Sequence, residues 1–368
     1  MDFARRIQRV CRMFAGHRID AMLISSLRNI YYLSSFSGST AQVVLTRDVP
    51  LFLTDFRYYE RFAEEVHPGY ELVPFYQESL GAKLRELSRK HGFKRLGVEA
   101  EHVSVAQLEE MRENAGIEIV PLKGVVENLR AVKDAEEVAA IRKAVRLNEE
   151  VFLELLKLVK PEVTEADLAA EYEYRIRKRG AEAASFPPLI AFGMNSSKPH
   201  AAVSRQQMMP AMPLTFDLGV SLNGYCSDMT RTVFYGGVSQ GWEEIFNIVR
   251  EAKDAASESA RPGVSCQEVD RVARSIIEGK GYDVYRVDSE ERKYFGHGLG
   301  HGVGLEVHEA PRLNARSTDT LKKGMVVTIE PGIYLPGQGG IRLEDMYLVE
   351  EQGLSNLNTL STDIIVVP

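Results

Sequence analysis

Hydrophobic positions recur along the chain with two periods, and the switches between them predict the order of elements. Phe3, Ile7, Val10 and Phe14 fall on one face at helical spacing, which predicts an amphipathic opening helix. Short apolar runs follow at Ala21–Ile24, Gln42–Leu45 and residues 50–54, the last two separated by the turn residues Arg47-Asp48, and each reads as a strand. A helical segment ending near His91-Gly92 leads into another strand-like run, Arg95–Glu99. This alternation predicts a small α/β domain over residues 1–125.

From Asp134 the pattern becomes helical again. Ala139, Ala140, Val145, Leu147, Phe152, Leu155 and Leu156 lie among many charges, and the helix must stop before Pro161, which cannot continue it. Thr164-x-x-Asp167 reads as a capping box for the next helix, with Gly180 to end it. Ser265-x-x-Glu268, after Pro262-Gly263, repeats that start signal. Residues 126–368 are therefore expected to form a second domain running helices, hairpin, helices and strands, an order that suggests two similar halves. Two domains also suit 368 residues, because single cores stop growing at roughly 250–300.

Composition narrows the classes of function. A net charge of -7 with no Lys/Arg-rich block argues against a nucleic-acid partner. No apolar run approaches the roughly 20 residues that span a bilayer, and charge at Asp2, Arg5 and Arg6 interrupts any signal-peptide core. Cys11, Cys226 and Cys266 are scattered and form no C-x-x-C pair, which points to reduced thiols and a cytoplasmic location. Cys226 reads as a packing residue.

Chemistry concentrates in the second domain. Asp217 and Asp228 lie on two extended segments that flank Asn223-Gly224, a hairpin signal. With Asn223-Gly224 central, Asp217 pairs opposite Thr230; with Leu222-Asn223 central, it faces Asp228. Either register puts both carboxylates on one face, where they repel unless a cation or a proton lies between them. Further on, Phe295-Gly-His297-Gly-Leu-Gly-His301-Gly-Val-Gly304-Leu-Glu306-Val-His308 carries three histidines among five glycines. The glycines disfavour a helix, and the Glu that a helical zinc-protease motif needs after its first His is missing. They instead allow close approach of a ligand or a neighbouring strand. Glu330 ends an apolar strand, and Arg342, Glu344 and Met346 alternate on one face of a later one. An ion pair with Arg342 or Arg231 is the plain alternative for Glu344. Four carboxylates and one imidazole form an oxygen-rich set that favours Mn²⁺, Co²⁺ or Fe²⁺ and tolerates Zn²⁺. Two divalent ions per chain, sharing bridging carboxylates, would satisfy all five groups.

These motifs resemble the aminopeptidase P/prolidase branch of the pita-bread metallopeptidases. The likeness rests on Asp217 and Asp228 in D-x-G…G-Y…D-x-T-R-T, His301 in H-G-x-G-H-x-x-G, Glu330 in I-E-P-G and Glu344 in R-x-E-D. It extends into the first domain through Asn29-Ile-Tyr-Tyr-Leu-Ser-Ser-Phe-Ser-Gly38 and Thr54-Asp-Phe-Arg57. The resemblance implies an α+β pita-bread catalytic domain behind a smaller α/β domain. It implies that Asp217 chelates one ion, His301 and Glu330 the other, and that Asp228 and Glu344 bridge them. Glu330 is then also the proton shuttle, His200 and His308 line the pocket and assist catalysis, and His297, Arg342 and Arg312 lie on the proline side of the substrate. A homodimer acting on proline-containing peptides follows from the same likeness. Between the two branches, aminopeptidase P is the expectation, because Arg342 shares a strand with Glu344 and Arg312 reads as part of a flexible loop; prolidase is the alternative. Metal-free relatives that only bind peptides are a more distant one, since this chain keeps all five ligand types.

Overall fold

The carboxylate of Asp2 accepts the backbone N–H of Arg5, and the helix Phe3–Arg12 starts there and turns Val10 inward. This is the first element of a computed structural model that describes residues 1–285 and 294–368. The chain divides into two units, Met1–Arg130 and Ala131–Pro368.

The first unit is built on a six-stranded mixed sheet in the order Glu71–Pro74, Leu51–Thr54, Gln42–Leu45, Ala21–Ile24, Arg95–Glu99 and Glu118–Leu122. The four central strands are those the apolar runs predict. The two edge strands escape such a reading because exposed Pro74, Glu118 and Pro121 break their patterns.

In the second unit, Asp134 caps the helix Ala135–Leu156 and Glu137 returns the bond to complete a capping box. Thr164 and Asp167 do the same for Glu165–Lys178. Ser265 caps Cys266–Gly279, but there the carboxylate of Glu268 turns outward to Arg271 at 2.6 Å. The first helix pair lies over a sheet in which Leu189–Phe192, Pro213–Leu218 and Met229–Tyr235 pair antiparallel and Val366–Val367 joins parallel at the edge, burying Phe152, Tyr172 and Phe216 between them. The helices Gln240–Ser259 and Cys266–Gly279 share a second core, with Phe246, Val249 and Ile277 against Val327 and Ile329. Its sheet runs Glu309–Leu313, Gly300–Gly302, Val326–Ile329, Asp345–Val349 and Leu354–Asn356, antiparallel throughout. Helices then strands, twice, is the order the sequence implies. No helix among the described residues is long and apolar enough to cross a membrane.

One buried ion cluster ties the two halves together. Arg231, on the hairpin strand of the first half, meets Asp345 of the second at 2.6 Å. Lys253, from the helix Gln240–Ser259, reaches the other oxygen of Asp345 at 2.7 Å. Burial pushes the Asp345 carboxyl up, but Arg231 and Lys253 outweigh it and hold the group below its usual range. Arg231 also donates to the carbonyl of Glu344 at 2.6 Å, so the cluster fixes Glu344, which lies in the link between the strands Gly339–Arg342 and Asp345–Val349 and not on one strand with Arg342 and Met346. Asp345→Asn would leave two buried cations short of their counter-charge, a defect worth about 3–5 kcal/mol. Urea unfolding of the full chain should show a loss of that size, and an unchanged midpoint would contradict this account of the cluster.

Candidate metal centre

Register decides where the first two carboxylates point. Thr230 pairs opposite Asp217 and Leu222 opposite Tyr225, so Asn223-Gly224 occupy the turn. Both have positive φ, 51° and 76°, as a turn matching the strand twist requires. Asp228 sits two residues before Thr230, on the same face as Asp217. Glu344 approaches from the other half, where its Oε2 accepts the Thr230 hydroxyl at 2.8 Å. Neither ion pair considered for Glu344 forms among the described residues: Arg231 is held by Asp345, and Arg342 by Asp217 at 2.6 Å.

His301 lies on the strand Gly300–Gly302. Its neighbours must be glycine, because a Cβ on Gly300 would strike the Thr328 carbonyl and one on Gly302 the Ala310 carbonyl. The close strand approach expected of these glycines is therefore present. The Nδ1–H of His301 donates to the Gly302 carbonyl at 3.2 Å, which leaves the Nε2 lone pair facing Asp228 Oδ2 at 3.6 Å and Glu330 Oε1 at 3.4 Å. Burial holds the imidazole neutral, with its pKa pushed down to about 4.

Ligand atoms of Asp228, His301 and Glu344 all lie within 4.8 Å of one another. Asp217 Oδ1 and Glu344 Oε1 are buried with no hydrogen-bond partner among the described residues. Orphaned carboxylate oxygens in a dry cluster are what a cation would satisfy, so the donor set fits divalent metal. In the absence of a cation, the group must hold protons. Burial and then the charge of Glu344 push Asp228 well above the usual carboxylate range, and burial and then Glu330 do the same to Glu344. Glu330, whose side chain keeps 18% exposure, is raised to about 8, mainly by withdrawal from water.

All ten residues singled out in the sequence line one cavity of about 540 Å³. His200 and His308 are exposed at its edge, and the His308 ring stands edge-on to His301 at 4.3 Å between centroids. Arg312 is on a strand, not in a flexible loop: it belongs to Glu309–Leu313 and pairs directly opposite His301. Its guanidinium has no hydrogen bond or ion pair among the described residues. Arg342 is fully committed, donating to Asp217, Thr230, the Pro199 carbonyl and the Tyr334 hydroxyl.

Two supports are absent from the sequence reading. The hydroxyl of Tyr334 donates to His297 Nε2 at 2.9 Å and accepts from Arg342 at 2.8 Å. The other His297 nitrogen donates to the Gly298 carbonyl, and burial lowers the ring's pKa to about 3, so it stays neutral. Gly332 is the one local sign of this arrangement, since a Cβ there would come 2.6 Å from the Tyr334 hydroxyl. Behind His297, Arg274 pairs with Asp270 at 2.7 Å and donates to the His297 carbonyl at 2.5 Å, while Asp270 accepts the Leu299 N–H. On the sequence that pair is an ordinary i, i+4 helix pair.

Residues 139–351 match metallopeptidase family M24, and residues 6–132 match the creatinase/prolidase N-terminal domain. An Xaa-Pro dipeptidase of Pyrococcus horikoshii is 33% identical over 363 residues, 98% of each chain. Among solved structures, an Xaa-Pro dipeptidase from Bacillus anthracis superposes with a TM-score of 0.92 at 33% identity, covering 99% of both chains. An X-Pro aminopeptidase from Thermotoga maritima gives 0.88 at 34% identity, covering 97% of this chain and 100% of that one.

The protonated carboxylates have a measurable consequence. A divalent cation favours the ionised forms of Asp228, Glu344 and Glu330, so binding at pH 7 must expel protons, and the share released by Glu330 should fade as pH passes about 8. Calorimetric titration of metal-free protein with Mn²⁺ in buffers of different ionisation enthalpy should show net proton release. Heats independent of the buffer would contradict the shared-proton cluster.

Proposed function

The chain belongs to metallopeptidase family M24, with a creatinase/prolidase N-terminal domain ahead of a pita-bread catalytic domain, and from that premise we propose that it is an Xaa-Pro dipeptidase working with two divalent ions. This replaces the preference for aminopeptidase P, one of whose two grounds has changed. Arg342 is occupied, as expected, its partner being Asp217, but Arg312 does not lie in a flexible loop and has a strand to aim it. The observation that carries the dipeptidase reading is the uncommitted Arg312 guanidinium on the cavity wall, opposite His301. A dipeptide offers a proline carboxylate to such a cation, whereas a longer peptide offers a neutral amide there. The dipeptidases among the relatives add weight to the same choice.

In this reading Asp217 would help hold one ion, His301 and Glu330 would help hold the other, and Asp228 and Glu344 would serve both. When bound, the ions polarise the scissile carbonyl and acidify the attacking water. Glu330 accepts the proton as water adds to the carbonyl carbon, and returns it to the proline nitrogen as the C–N bond breaks. That nitrogen has no N–H of its own, so a site that holds the carbonyl and the carboxylate suits proline where one relying on an amide donor does not. His308 and His200, at the cavity edge, contact the substrate and the developing oxyanion. Neutral His297, steadied by Tyr334, borders the ring of the proline. Manganese is our assignment for the ion, on the oxygen-rich donor set. A cytoplasmic homodimer is the proposed state, the location supported by three free thiols and the dimer by the family likeness.

The test compares kcat/KM for Ala-Pro and Ala-Pro-Ala with added Mn²⁺, in wild type and in Arg312→Ala. We expect a dipeptide preference that falls by roughly 1.5–3 kcal/mol in the variant, the worth of a charge-assisted contact. A tripeptide preference, indifferent to the substitution, would return the protein to the aminopeptidase P branch.

A further inference from the structure

We propose that the buried pair Lys133–Glu309 is a positioning device that sets the aim of His308. The proposal rests on the reading of His308 as a substrate-contacting residue.

The two side chains are 1% and 6% exposed and meet at 2.7 Å. Desolvating two charges offsets most of their attraction, so such a pair adds little net stability over an apolar one, and a role in specifying geometry is the better account. Lys133 is itself anchored, its N–H donating to the Gly324 carbonyl at 2.8 Å and its ammonium to the Ala131 carbonyl at 3.3 Å.

Glu309 is the first residue of the strand Glu309–Leu313 and pairs opposite Gly302, the residue after His301, just where the ladder shifts register. Its carboxylate lies against the backbone of Gly304, where a Cβ would come 2.8 Å from the carboxylate carbon. Gly304 is fixed from two further directions. Its N–H donates to the Glu306 carbonyl at 3.0 Å, and its carbonyl accepts the Cys226 N–H at 2.8 Å. The loop over residues 303–308 is thus closed at its base around one carboxylate. His308 is the last residue of that loop. Its ring makes no hydrogen bond among the described residues and touches the His301 ring alone of the aromatic groups there. With so little to hold the imidazole itself, its direction is inherited from the backbone, which Glu309 and Lys133 hold from behind.

The experiment is a double-mutant cycle on Ala-Pro hydrolysis with Mn²⁺, using Glu309→Gln, His308→Ala and the two together, with metal content measured on each. We expect Glu309→Gln to lower kcat/KM roughly 10–100-fold with metal content unchanged, as for other residues that orient a catalytic side chain. In the His308→Ala background the same substitution should change the rate by no more than about twofold, because the group it orients is gone. Costs that multiply in full, or a loss of metal equal to the loss of activity, would assign the pair to the fold at large and overturn the proposal. Should Glu309→Gln not fold, the uncharged Lys133→Met/Glu309→Gln enters the same cycle, and failure of both to fold would make the pair a stability element only. A wild-type protein inactive on every Xaa-Pro peptide would instead sink the dipeptidase reading, and this proposal with it.

Discussion

Asp217, Asp228, Glu330 and Glu344 converge on one cavity, and their mutual repulsion is the constraint to which the rest of the second unit answers. Four carboxylates this close cannot all be ionised in a dry site without a compensating cation. Arg342 supplies one positive charge from within the chain, at Asp217. The orphaned oxygens of Asp217 and Glu344 show how much remains to be neutralised. Holding the set together also needs mechanical support from outside it. The Arg231–Asp345–Lys253 cluster supplies this by joining the two halves immediately behind Glu344.

Local chemistry made some of this legible in the amino-acid sequence. An Asn-Gly turn demands positive φ at two successive residues, and it selects the register in which Asp217 pairs opposite Thr230. The glycines around His301 announce strands too close for side chains, which is how they act. Capping residues marked three long helices because an N-cap bond is satisfied within one turn.

The remainder depends on pairings between distant segments, which no local pattern encodes. Glu344 and Asp345 are adjacent acids, yet the neighbour of the supposed salt-bridge acid took Arg231, because successive residues of an extended chain face opposite sides. Arg312 looked mobile because a proline precedes it; its pairing with His301 across the ladder was invisible until the strands were aligned. Tyr334 and Asp270 belong to none of the sequence motifs, and only the folded chain brings them to His297 and its carbonyl-binding Arg274.

Three arginines of similar appearance in the sequence therefore have three different tasks. Arg231 is structural, Arg342 tunes the acid cluster, and Arg312 faces the cavity uncommitted. Substrate choice follows from that division, but all of it presupposes that the acid cluster holds metal. Crystals of the full chain loaded with Mn²⁺, measured for anomalous scattering, test that most directly. The account predicts two peaks in the cavity, both touching Asp228 and Glu344, with Asp217 on one and His301 and Glu330 on the other. A single peak, or peaks that leave Asp228 and Glu344 unligated, would contradict it.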